Sequence, residues 1–555
     1  MLDTGTLPNI DAFLDELLAE AGQRTREEQE PTATGKWVRG GMTVKLHELI
    51  TDGTEGGRGA RFMSAVRQLK QLGWSIDGMV WLFEQHPDGV AGKYEKRLRK
   101  EVERAFQKVQ VDGACLGDFF AYMPLHQFYY APTRRLWPAS SINARFAAVA
   151  VLDDDGQLRL TDKKKPLLLP AAMWLDQNRP VEEMTWSPGD PMLVHDRLIV
   201  ENMGWMPRPG DTTFNLYRPP IIQDGDARKA RPWLRLIVKI FGKQDARHII
   251  LWLSHRAQRP QEKINHGLVL GGAPGIGKDT ILAPARLAVG EWNFAEASPM
   301  DMLGHFNPFA RAVILRINEA RDLGEISQFK LYDHMKQYMA APPPTLPVNE
   351  KYIKHYSVPN VCGVIFTTNY KENGLYLPPD DRRHFVAWSE RTAADFAPGF
   401  WSDFWDWYHD GGFWHVVAYL RQRDISKFRP GEEPPKTQAF WDIANANRAA
   451  DETALDDILD AMGRPAVVTV ERILMQPNIP FDLADWLRSH KYRRVFPKHF
   501  SDCGYLTVHN SDTPEDRGRW RISGTKQVVY GRKDLPRSEL IAAARKLTRG
   551  QRERF

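Results

Sequence analysis

The stretch Gly272-Ala273-Pro274-Gly275-Ile276-Gly277-Lys278-Asp279-Thr280, preceded by the apolar run Gly267-Leu268-Val269-Leu270, constrains this chain more than any other. A strand that ends in a glycine-rich turn and passes into a helix aims successive backbone N–H groups at one point, and the helix N-terminus adds partial positive charge there. Phosphate oxygens suit that point. Lys278 is expected to bridge the β- and γ-phosphates of a nucleoside triphosphate as a point charge. The pattern departs from its usual form one position later. Where a Ser or Thr hydroxyl ordinarily meets Mg²⁺, this chain has Asp279, with Thr280 one step on. Residues 272–280 are the candidate nucleotide contacts, and Asp279 and Thr280 the candidate metal ligands.

Three further elements follow in order. The run Ala312-Val313-Ile314-Leu315-Arg316-Ile317 ends in Asn318-Glu319, as a buried strand would if it delivered a carboxylate to the C-terminal edge of a sheet. Glu319 is the candidate base for an attacking water, and Asn318 and Glu319 join the candidate metal set. Asn318 stands where an aspartate is often found, so the expectation is that the charge has changed sides and Asp279 supplies it. The run Val361 to Thr368 ends in Asn369, whose amide can sense a γ-phosphate. Asp380-Asp381-Arg382-Arg383-His384-Phe385 then offers two guanidinium groups. One of them is expected to act as an arginine finger from a neighbouring subunit, which implies a ring. The plainer reading is that they only pair with Asp380 or Asp381.

A phosphate loop, an Asn-Glu strand, an asparagine sensor and an Asp-Arg-Arg motif within about 110 residues resemble the core of superfamily 3 helicases, particularly the phage and prophage primase-helicase group. The likeness covers residues 230–395, with weaker similarity upstream through HQFYYAPTRRLWPASSINAR. It implies an AAA+-like fold, ATP and Mg²⁺ as cofactors, a homo-oligomeric ring (a hexamer), and translocation on single-stranded DNA. It also implies a basic hairpin projecting into the ring channel. The matching stretch is Thr345 to Tyr356, where Lys351 and Lys354 would grip phosphates and Tyr352 or His355 would stack on bases. A solvated charged hairpin is the alternative.

Around this core, residues 1–36 read as one helix and a polar linker, and 37–108 as a helical module resembling the segment that follows the catalytic domain in phage and plasmid primases. Residues 109–228 read as a β-containing connector, 229–432 as the ATPase and 433–555 as a winged-helix-like domain with a basic tail. In the connector, Asp153-Asp154-Asp155-Gly156 sits between two apolar runs and reads as a hairpin turn rather than a metal-binding carboxylate cluster. In the last domain a helix over Asp482–His490 and a second starting near Pro497 would precede a wing made of Tyr505–His509 and Arg519–Ile522. Arg493, Arg494, Lys498 and His499 are the candidate DNA contacts there.

The fold expected is therefore multidomain α/β, with a mostly parallel sheet in the P-loop core. No run of about 18 apolar residues exists to cross a membrane, and the acidic amphipathic start lacks signal-peptide features, so a cytoplasmic protein is expected, in the bacterial host if phage encoded. Cys115, Cys362 and Cys503 lie far apart, against both a disulfide framework and a zinc ribbon. A net charge of +5 with local basic clusters fits a protein that meets nucleic acid at defined places. The reading is an ATP-dependent helicase in phage or mobile-element DNA replication, working beside a separate primase or polymerase. The alternatives are an AAA+-like ATPase that remodels or loads proteins on DNA, and an origin-binding initiator locked by nucleotide.

Overall fold

Five short runs that are apolar nearly throughout form one sheet: β1 (Gly267–Gly272), β2 (Phe294–Ala297), β3 (Ile314–Asn318), β4 (Gly363–Thr368) and β5 (His384–Ser389). Strands covered on both faces need apolar residues at every position, and all six residues of β1 and of β4 are buried. The computed structural model describes residues 10–20, 39–54, 56–318, 328–351, 353, 355–371, 375–488, 496–510, 512 and 518–549. All five strands run parallel, in the order β2-β3-β4-β1-β5. From β1 the chain goes to the far edge strand β2, whereas from β4 it crosses β1 to reach β5. With right-handed crossovers the two connections leave on opposite faces, which opens a crevice at the C-terminal ends of the adjacent strands β1 and β4.

Flanking helices complete this unit, which comprises residues 1–25 and 218–555. Helix α1 (Ile10–Ala19) buries Leu14 and Leu17 and is tied by Asp11 to Arg231 and Arg235 and by Glu16 to Arg247. Helix α2 (Arg231–Gln258) breaks at Gly242, whose φ of 76° only glycine adopts readily. Helix α3 (Lys278–Val289) follows β1, α4 (Gln328–Met339) precedes β4, and α5 (Phe400–Trp407) and α6 (Phe413–Gln422) follow β5.

Beyond residue 437 the helices Gln438–Ala461, Phe481–Arg488 and Phe496–Asp502 enclose a core of Leu455, Leu459, Trp486, Phe500 and Tyr530. Two helices stand where the sequence placed them, but the wing does not. Tyr505–Val508 pairs with Val529–Arg532, and Trp520–Ile522 pairs with Thr525–Gln527. Ser523 and Gly524, with φ of 49° and 79°, close the second pair as a two-residue hairpin. That local turn wins over the longer pairing.

The other unit spans residues 26–217. Helices Val44–Thr51, Arg58–Gln71, Ile76–Glu84 and Leu98–Lys108 pack around Phe62, Leu69, Leu82 and Val102. A four-stranded sheet includes Phe119–Tyr122 and Gln127–Tyr130, and a long hairpin joins Leu193–Val200 to Gly204–Asn215. Asp153 Oδ1 accepts from the N–H groups of Asp155 (3.0 Å) and Gln157 (2.8 Å), with Leu152 bridged to Leu158. The acidic run is therefore a turn. Among the described residues no helix is long and apolar enough to cross a membrane.

Candidate functional site

The glycine loop lies at the crevice that the strand order opens. Gly275 and Gly277 have φ of 78° and 94°, and α3 begins at Lys278. A Cβ on Gly277 would stand 2.3 Å from the ring of Trp401, so only glycine lets that indole lie against the loop. Lys278 is buried, and its ammonium donates to Gly272 O (2.7 Å), Ala273 O (2.9 Å) and Asn369 Oδ1 (2.8 Å). Burial pulls its pKa below the usual lysine value, with Arg316 acting the same way and Asp279 opposing. Asn369 directly follows β4, so two elements separated by about ninety residues of sequence meet on one amine. Thr280 is buried, and Tyr408 OH donates to its carbonyl at 2.8 Å, bracing the first turn of α3.

Asp279 is held by Arg316 of β3, a residue the sequence reading passed over inside its apolar run. Arg316 also reaches Glu296 Oε1 (3.3 Å) and Thr367 Oγ1 (3.4 Å), and Arg286 holds Glu296 from α3 at 2.9 Å. Asn318 Oδ1 lies 3.5 Å from Thr367 Oγ1. Pro274, Gly275, Gly277, Lys278, Asp279, Thr280, Arg316, Thr367, Asn369, Trp401 and Trp405 line a cleft of about 460 Å³. Sequence periodicity offered no signal for the two tryptophans, which come from α5, more than a hundred residues beyond the loop. Glu319 lies outside the described residues.

Arg382 and Arg383 are elsewhere. The carbonyl of Arg383 accepts from Gly267 N at 2.8 Å, and Gly267 pairs with His384 at the N-terminal ends of β1 and β5. Along a six-residue strand that places them roughly 17–20 Å from the glycine loop. They line a second cleft, of about 430 Å³, with Tyr332, Lys336, Asp380, Asp381 and Glu433. Asp381 does not pair with either guanidinium in that cleft. Its carboxylate accepts from Arg383 N (2.9 Å), His384 N (3.0 Å), His384 Nδ1 (3.0 Å) and Tyr332 OH (2.9 Å). Burial works to raise its pKa, but the His384 imidazole and these donors hold it well below the usual carboxylate range.

The basic hairpin forms as an antiparallel pair, Thr345–Val348 with Tyr356–Pro359. It precedes β4, hence lies at the N-terminal end of that strand, away from Asn369. Arg311 Nε and Glu350 Oε1, 3.1 Å apart, brace its connecting loop, where Lys351 and His355 are exposed. Tyr352 and Lys354 lie outside the described residues, as do Arg493 and Arg494. Lys498 is exposed on the helix Phe496–Asp502, whereas the ring of His499 packs edge-on against Trp486, with centroids 4.9 Å apart.

A family of unknown function (DUF5906) matches residues 270–383, the span from the end of β1 to the start of β5. No curated protein matches the chain. Among solved structures the chain is similar to the apo structure of the NrS-1 C-terminal region (305–718), at 13% identity, with 73% of this chain and 93% of that one covered and a TM-score of 0.42. It is similar also to an A-form apo structure of the same region, at 13% identity over 70% of this chain and 95% of that one, with a TM-score of 0.39.

Proposed function

We propose that this chain is an ATP hydrolase of the superfamily 3 helicase type, with residues 229–432 as its P-loop core. The observation that carries the reading is the triple anchorage of Lys278. A freely moving lysine would be a poor phosphate ligand, whereas here the strand ends of β1 and β4 hold the amine at the N-terminus of a 12-residue helix. The residues fit a triphosphate: Gly275 and Gly277, without side chains, let the loop backbone come close to a ligand, and the amine exchanges carbonyl oxygens for phosphate oxygens of the same hydrogen-bonding type. For Mg²⁺ the donors to hand are the Thr280 hydroxyl and the Asp279 carboxylate, a set that suits a hard cation taking its other oxygens from phosphates and water. When bound, that ion neutralises charge on the β- and γ-phosphates.

In the reaction proposed, water attacks the γ-phosphorus, the bond to the β-bridging oxygen breaks, and ADP leaves with that electron pair. Lys278 holds the phosphates in line, Asn369 positions both Lys278 and the γ-phosphate, and Glu319 takes the proton of the water. Arg382 or Arg383 acts in trans, since neither reaches the loop of its own chain. The hairpin carrying Lys351 and His355 then moves a single strand through a ring, and residues 433–555 act as a winged-helix-like domain binding DNA or protein.

The test is ATP hydrolysis with and without single-stranded DNA, together with displacement of a labelled strand. DNA-stimulated hydrolysis with displacement is expected. Stimulated hydrolysis without displacement would reassign the motor to remodelling of DNA-bound proteins, and hydrolysis unaffected by Lys278→Ala would remove the ATPase reading altogether.

A further inference from the structure

The phosphate end of the cleft is built from the loop, Lys278, Arg316, Thr367 and Asn369, but its other wall is aromatic. Trp401 lies against Gly277 so closely that a Cβ there would meet three of its ring atoms within 3.4 Å. Trp405 stands one helical turn further along α5, about 6 Å on and on the same face. It is 38% exposed. Both rings are fixed from behind. Trp401 packs on Phe396 and Phe400 with centroids 4.9 and 5.0 Å away, and Trp405 on Tyr408 at 5.5 Å. Tyr408 in turn bonds the carbonyl of Thr280, so the platform and the phosphate-binding helix are one rigid piece.

An indole left open to solvent beside a charged cleft, on a stiff support, suits a flat aromatic ligand. Resting on the phosphate reading above, we propose that Trp405, with Trp401 beside it, is the stacking platform for the base of the nucleoside triphosphate. The polar groups lining the cleft cluster at the phosphate end, so the base is recognised by its π-face rather than by its hydrogen-bonding edge. The substrate class is then nucleoside triphosphates without selection by the base edge, with ATP and GTP held alike.

The experiment measures Kd for ATP, GTP and inorganic tripolyphosphate by calorimetry on the full chain, for the native protein and for Trp405→Ala and Trp405→Phe. Removing a stacked aromatic ring weakens a base by roughly fivefold to 150-fold. Trp405→Ala is expected to lose that much ATP and GTP affinity while tripolyphosphate affinity stays unchanged, and Trp405→Phe is expected to recover most of it. Equal affinity of the native protein for ATP and tripolyphosphate overturns the platform and leaves the phosphate site standing. So does a Trp405→Ala variant that weakens all three ligands alike. A native preference for ATP over GTP beyond tenfold overturns recognition by the π-face. Failure of both ATP and tripolyphosphate to bind overturns the phosphate reading and this proposal with it.

Discussion

Lys278 Nζ donates to Asn369 Oδ1 at 2.8 Å, joining the helix after β1 to the end of β4 across the crevice between them. The amide oxygen orients the amine without neutralising it. Asn369→Asp is therefore expected to harm nucleotide binding more than Asn369→Ala, because a carboxylate would pair with the ammonium and repel phosphate. Lys278→Ala should lower kcat about 100-fold or more, as loss of a single preorganised donor does. Steady-state kinetics with a binding assay check the order, and Asn369→Asp binding better than Asn369→Ala would refute it.

Arg316 neutralises Asp279 within the same cleft. Without Mg²⁺, Arg316→Met alone leaves a bare carboxylate facing phosphate, so it should weaken binding of metal-free ATP more than the double variant Arg316→Met/Asp279→Asn. A coupling of about fivefold in Kd is expected, modest because the Asp279 side chain is 74% exposed. Additive effects in the double-mutant cycle would show that the pair does not act as a unit.

Gly277 and Gly275 both have positive φ, but only at Gly277 does a Cβ meet a ring; at Gly275 the nearest atom is 3.8 Å away. Gly275→Ala should cost about 1–3 kcal/mol of backbone strain, whereas Gly277→Ala adds the clash with Trp401. Thermal denaturation should rank Gly277→Ala below Gly275→Ala, and Gly277→Ala/Trp401→Ala should recover only the steric part.

Arg382 and Arg383 occupy the opposite end of the sheet from Lys278. The variant Arg382→Ala/Arg383→Ala is expected to bind ATP normally and hydrolyse it slowly. Mixed with Lys278→Ala subunits it should regain part of the lost rate, because native loops then face native arginines in some pairs. No regain at any mixing ratio would remove the finger assignment.

His248 and His266 share one hydrogen between their Nε2 atoms, 3.0 Å apart under β5. Burial pushes His248 down to about 4 and His266 down to about 3. Below pH 6.5 the unfolded chain takes up protons that the folded one refuses, so stability falls as pH falls, until about pH 4 for His248 and about pH 3 for His266. By pH 5.5 each should cost about 1.4 kcal/mol. Tm of the sheet-bearing unit, followed from pH 7.5 to 5, is expected to drop and to drop less in His248→Phe. A flat profile would mean that both rings stay solvated.

The wing and Arg316 show where sequence reading stops. Ser523-Gly524 is a local turn signal that alternation on either side leaves ambiguous, and the partner strand Val529–Arg532 is too short to declare itself. Arg316 is visible in the run Ile314-Leu315-Arg316-Ile317, but nothing in that spacing says that its guanidinium faces Asp279.

By itself the sequence determined the glycine turn between strand and helix, the apolar runs of β1, β3 and β4, and the turn at Asp153, because each depends on contacts a few residues apart. Tertiary structure alone decided that Asn369 meets Lys278, that Asp279 has Arg316 as partner, that Trp401 and Trp405 wall the cleft, and that Arg382 and Arg383 lie away from it. Those facts follow from strand order. A parallel sheet assembles its crevice from strands distant in sequence, and periodicity, which records only which face of an element is buried, carries no record of which neighbour buries it.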